Sequence, residues 1–172
     1  LNHNFGIVSG KGQIVSVDNG ILPKGKYTQF VEANSGTFVF DGSIPYTVLS
    51  GFSEVNNVII KGVGQKTFPN VNMTFNGSVT FEQNSDVSKN NTWYLKGNLI
   101  NNCAKLDFGY GVNNSIIILC GDGVQYISGD GSFTEQDNAS IPKLVVNNSN
   151  GVYISTDIDI SDYIEFRNGI LY

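Results

Sequence analysis

Apolar and polar residues alternate along the chain in short runs, each closed by Gly, Asn, Asp or Ser. The runs are GQIVSV (12–17), GTFVFDG (36–42), YTVLSG (46–51), NNVIIKG (56–62), VNMTFNG (71–77), SVTFEQ (78–83) and TWYLKGNLI (92–100). They continue with AKLDFG (104–109), SIIILCG (115–121), VQYISG (124–129), KLVVNN (143–148), GVYIST (151–156), IDISDY (158–163) and EFRNGILY (165–172). Alternation with period two, bounded by turn formers, predicts β-strands. No stretch carries apolar residues at helical spacing over three turns, so at most one short helix is expected, as an end cap.

From residue 78 onward a strand starts about every eight or nine residues. Three such strands make about 25 residues, close to one coil of a parallel β-helix, in which neighbouring coils complete each other's core. The expected fold is all-β, a single β-solenoid segment over 1–172, with a β-sandwich as the alternative. IDISDY places Ile158 and Ile160 on one face and Asp157, Asp159 and Ser161 on the other. SIIILCG is apolar on both faces, which predicts that a loop or another segment covers its outer side. Degenerate internal repeats are expected near 36–83 and 115–172. Phe40-Asp41-Gly42-Ser43 matches Leu119-Cys120-Gly121-Asp122, and Val58-Ile59-Ile60 matches Leu144-Val145-Val146.

The stretches Val124 to Gly129 and Lys143 to Leu171, with GTFVFDGSIPYTVLSG and VNNVIIKGVGQKTF as an earlier copy, resemble repetitive extracellular adhesin-like proteins of Bacteroidota. Asn19-Gly20-Ile21-Leu22 likewise echoes Asn168-Gly169-Ile170-Leu171. The resemblance implies a right-handed parallel β-helix from a large secreted or cell-surface protein. Such proteins often travel through the type IX secretion system with a C-terminal sorting domain, which is not recognisable in this sequence. The opening LNHNFG and the closing NGILY read as cuts in a larger protein.

Composition sharpens this picture. Ile and Val number 17 each against three Ala, which disfavours helix. Gly at 20 and Asn at 22 demand frequent turns. A net charge of -5 argues against nucleic acid and anionic membranes as partners. No apolar run approaches the roughly 20 residues that span a bilayer, so no membrane insertion is expected. Cys103 and Cys120 do not form a metal motif. A disulfide between them and two buried thiols are both compatible with the sequence. Six Asn-X-Ser/Thr sequons occur, at Asn72, Asn76, Asn90, Asn113, Asn138 and Asn147. A chain this rich in Asn, Ser and Thr generates such triplets by chance.

The sequence holds little catalytic chemistry. His3 is the only imidazole and lies near the start of the chain. Asp157 and Asp159, with Asp162 nearby, are the carboxylates that could act as a pair or hold calcium; a solvated outer strand face is the plainer reading. Asp122 and Asp130 sit in two Gly-Asp-Gly turns that match neither an EF-hand nor the nonapeptide calcium repeat. The glycines of GKG (10–12) and GVGQK (62–66) lack the ending and helix of a phosphate loop. Trp93 and Tyr94 must face opposite ways on a strand. Tyr27, Phe30, Tyr46, Phe52 and Tyr110 lie near turns, either as a sugar-stacking platform or as core.

The expected function is therefore a structural and adhesive segment giving a stiff stalk or binding surface outside the cell. It is not expected to be an enzyme or to carry a catalytic residue, cofactor or metal. Its partners would be neighbouring repeats of the same chain, with surface glycans or secretion machinery as further possibilities. The alternative is a carbohydrate-binding or polysaccharide-cleaving β-helix domain; a trimeric phage-fibre-like solenoid is a third reading.

Overall fold

The structure is a computed structural model. It describes residues 4–17, 19–83, 85–87, 91–103, 106–108, 115–134 and 140–172. The described residues contain strands, turns and bends and no helix. Every strand pairing is parallel, and the strands stack in about seven turns of a β-solenoid. The parallel stack excludes the β-sandwich.

Each coil passes through three faces. The first face contains β1 (Asn4–Ile7), β3 (Lys24–Lys26), β6 (Glu54–Val55), β9 (Met73–Phe75), β12 (Thr92–Leu95) and β15 (Ile116–Leu119). The second contains β2 (Gln13–Ser16), β4 (Thr37–Asp41), β7 (Asn57–Lys61), β10 (Val79–Phe81), β13 (Leu99–Asn101) and β16 (Gln125–Ser128). The third is made of two-residue strands: β5 (Tyr46–Thr47), β8 (Lys66–Thr67), β11 (Ser85–Asp86) and β14 (Leu106–Asp107). A bridge from Phe133 to Ile158 continues it. The last two coils run through the first corner without a break, giving the long strands β17 (Ile141–Ile154) and β18 (Ile160–Leu171).

Register fixes what is inside. On the second face, Phe38, Val58, Val79, Leu99 and Ile127 follow one another in successive coils, all buried. On the first face, Met73, Trp93, Ile117 and Leu144 do the same. Trp93 is the centre of an aromatic column, with ring centroids 4.8 Å from Phe68, 4.9 Å from Phe75 and 6.1 Å from Phe108. Because the period along a strand is two, a one-residue slip would turn this column out to water. Outward Ile118 and Val145 are also buried, so the outer side of this part of the first face is covered, as the two-sided apolar pattern predicts.

Coil length varies. Met73 pairs with Trp93, twenty residues on, whereas Leu99 pairs with Ile127, twenty-eight residues on. The corners set the difference. TWYLKGNLI is two strands split by the tight corner Lys96-Gly97-Asn98. The proposed sequence repeats do not occupy equivalent places: Phe40-Asp41-Gly42 ends a second-face strand, and Leu119-Cys120-Gly121 ends a first-face strand. The structural repeat is the coil itself.

Asparagine and serine stitch the coils together at the first corner. The Asn57 Oδ1 accepts from Ser78 N at 2.8 Å, Ser78 Oγ from Asn98 N at 3.0 Å, and Asn98 Oδ1 from Tyr126 N at 2.9 Å. Each side chain captures a backbone donor of the next coil that the corner would otherwise leave unmatched. Deeper in the same corner, Gln125 is buried. Its Oε1 accepts from Gly121 N and Asn148 Nδ2, each at 2.8 Å, and its Nε2 donates to Leu95 O at 3.0 Å. The Asn-rich composition thus has a structural use.

Candidate functional site

The first-face ladder is broken once. β3 pairs with β1, and β6 pairs with β9, but β3 and β6 do not pair with each other. The chain between them turns through residues 27–36, with Asn34 at a φ of 59°, a left-handed position that Asn tolerates. The break leaves a cleft of about 330 Å³ lined by Tyr27, Thr28, Phe52, Ser53 and Glu54, among others.

Its aromatic wall belongs to the core. Tyr27 meets Phe52 edge to face at 5.4 Å and Phe38 at 5.7 Å, and Phe52 meets Phe38 at 5.2 Å. The Tyr27 hydroxyl donates to Pro23 O, and burial pushes its pKa up. The polar side is Glu54, whose Oε1 accepts from Asn76 Nδ2 at 2.7 Å. Asn76 Nδ2 also donates to Val31 O at 2.9 Å, tying the 27–36 turn to the coil behind it. A glycan attached to this sequon nitrogen would take one of its two N–H groups, so at least one of the two bonds would be lost. An aromatic wall beside a carboxylate and two hydroxyls has the chemistry to hold one sugar-sized ligand.

The other sequence-flagged aromatics divide between inside and outside. Trp93 is buried and Tyr94 faces out, on opposite sides as expected. Phe30 is buried against Phe38 at 5.2 Å, and Tyr46 lies against Phe40 at 6.4 Å. Tyr110 and His3 lie outside the described residues. An outer stack that the sequence reading missed runs Tyr126, Tyr153 and Tyr172. Its centroids are 5.7 and 4.5 Å apart, with planes within 28° and 14°. These rings cover one another's faces, so they stiffen the wall rather than offer a flat platform for sugar. The signal for them was the equivalent position of Tyr126 and Tyr153 in neighbouring coils.

Asp157 and Asp159 flank half-buried Ile158 and point outward, as the alternation predicts. Asp162 instead lies 3.5 Å from Lys143. Asp122 and Asp130 sit at exposed corners, where Asp122 O accepts from Asn150 Nδ2 and Asp130 N donates to Asn102 Oδ1. Among the described residues no three His, Cys, Asp or Glu side chains are grouped to hold a metal ion.

Cys103 and Cys120 stand as separate thiols at different corners of the cross-section. Cys103 is buried, and its Sγ and backbone N both donate to Oδ1 of Asn101 at 3.0 Å. Cys120 is half-buried, and burial pushes its thiol pKa up. No known protein family, curated protein or solved structure matched the chain in comparison.

Proposed function

We propose that the chain is a structural and adhesive segment of a large secreted or cell-surface protein, where it serves as a stiff stalk with a binding surface. The observation that carries this reading is the unbroken second-face stack, in which buried residues of every coil from Phe38 to Ile127 pack onto the next. Seven steps at about 4.8 Å give an axial length of about 34 Å for this segment. Interlocked coils resist bending because each core residue touches the coil on either side. The resemblance to Bacteroidota adhesin-like proteins supplies the extracellular location and the type IX secretion route of this proposal. Coated beads test it: retention under flow on immobilised surface glycans, above that of beads carrying a Gly/Ser linker, supports adhesion. Equal retention would contradict it.

The cleft at Tyr27, Phe52 and Glu54 favours a second reading, a carbohydrate-binding β-helix domain. Calorimetric titration with oligosaccharides tests it. Heat that disappears in Tyr27→Ala and Glu54→Gln supports this reading, and heat unchanged in both contradicts it.

A further inference from the structure

The cleft at the ladder gap is biased toward accepting hydrogen bonds. Elsewhere on the first face an outward side chain has register neighbours on both sides, as Thr74 has Glu54 and Tyr94. Glu54 has Thr74 on one side and the gap on the other. One amide fixes its carboxylate. Asn76 Nδ2 donates to Glu54 Oε1 at 2.7 Å and to Val31 O at 2.9 Å, and Asn76 Oδ1 accepts from Lys96 Nζ at 2.8 Å. The second oxygen, Oε2, has neither a hydrogen bond nor an ion pair among the described residues.

The rest of the lining repeats the bias. The Tyr27 hydroxyl donates to Pro23 O, so it offers a ligand only lone pairs. The hydroxyls of Thr28 and Ser53 can donate or accept. No lysine or arginine lines the cleft: Lys24 and Lys26 flank Gly25 but stand exposed outside the lining. The aromatic rings of Tyr27 and Phe52 attract a cation over their faces. A volume of about 330 Å³ is near the lower end for small-molecule sites and suits a single ring.

Resting on the carbohydrate-binding reading of this cleft, we propose that it takes an amino-sugar ring with a free ammonium group, the ammonium on Glu54 Oε2 and the ring against Tyr27 and Phe52. An ammonium brings three donors and a positive charge to an acceptor-lined site, and its bond to a carboxylate is about twice as strong as a neutral one. N-acetylation removes the charge and leaves one N–H. A sugar acid would set carboxylate against carboxylate.

Calorimetric titration at about pH 6, where the sugar amine carries its proton, tests this with trisaccharides of glucosamine, N-acetylglucosamine, glucose and galacturonate. The expected result is glucosamine binding about tenfold tighter than either neutral sugar, a preference that shrinks at high salt, and no heat from galacturonate. Glu54→Gln keeps an acceptor for Asn76 but removes the charge, and it should abolish the preference. Asp130→Asn removes the same charge at an exposed corner and should keep it. A glucosamine preference equal in wild type and Glu54→Gln overturns the proposal, since the net charge of -5 alone would then be drawing the cation. Neutral trisaccharides that bind as tightly as glucosamine, and lose their heat in Tyr27→Ala, overturn the ammonium assignment and leave the carbohydrate reading standing. No heat from any of the four overturns both.

Discussion

Lys66 lies one coil on from Tyr46 in the third-face register, with its ammonium 4.5 Å from the Tyr46 ring centroid. It is fully buried and donates to Gly42 O at 2.9 Å and to Gly64 O, while Ile44 O lies at 3.5 Å. The charge is caged by carbonyls and an aromatic face, a use of lysine that satisfies a tight corner from within. Lys66→Met should therefore cost about 2–4 kcal/mol in urea unfolding, because the corner carbonyls lose their donor inside the protein.

The same cage has a pH signature. Burial, partly offset by Asp41, holds the Lys66 pKa below its usual value. The unfolded chain then binds this proton more tightly than the folded one. The stability difference between wild type and Lys66→Met should grow as pH rises from neutral toward the ordinary lysine pKa of about 10.4. Urea midpoints at a series of pH values measure it, and a difference that shrinks would contradict the lowering of the Lys66 pKa by burial.

Trp93 and Tyr94 give a paired test of register. Trp93→Ala should cost about 3–5 kcal/mol by opening a cavity in the aromatic column, whereas Tyr94→Ala should cost about 1 kcal/mol or less. Trp93→Phe should be milder than Trp93→Ala, since the buried Trp93 Nε1 has no hydrogen-bond partner to lose. The single Trp also reports its own burial: its emission should shift to longer wavelength on unfolding.

Two glycines separate close coil contact from open turn. A Cβ on Gly129 would lie 2.0 Å from Asn101 O in the neighbouring coil, at a φ of +126°, while one on Gly123 would meet nothing within 4 Å. Gly129→Ala should destabilise by about 3 kcal/mol or more, and Gly123→Ala by less than about 1. Thermal unfolding of the two variants checks the contrast.

The sequence made the second face and most of the first legible, because Phe38/Phe40, Val58/Ile60 and Val79/Phe81 recur at a spacing of two within short runs closed by turn formers. The third face was largely hidden. Lys66-Thr67 and Ser85-Asp86 carry no apolar alternation, and their inward side chains are a lysine and a serine. Such two-residue strands exist because the coils on either side hold them, a tertiary cause that local pattern does not record. Aromatic residues could be singled out by type, but the cleft depends on an unpaired gap between Gly25 and Glu54, which no spacing announces.

The cysteines give a chemical check. Two thiols per chain should react with a disulfide reagent in denaturant, and both should react slowly in the folded protein at pH 8. Cys103 is buried, and the Cys120 pKa is raised. No reactive thiol in denaturant would mean that the two are linked.

The parallel coil stack is tested most directly by a molecular ruler along its axis. Val15, Val39, Ile59, Thr80, Ile100 and Ser128 are successive register partners on the second face. Spin labels at Val15 and Ile100, and at Val15 and Ser128, with both cysteines replaced by serine, give two distances by pulsed electron resonance. The stack predicts narrow distributions near 19 and 24 Å, differing by one strand spacing of about 4.8 Å. Broad distributions, or a second distance no longer than the first, would contradict it.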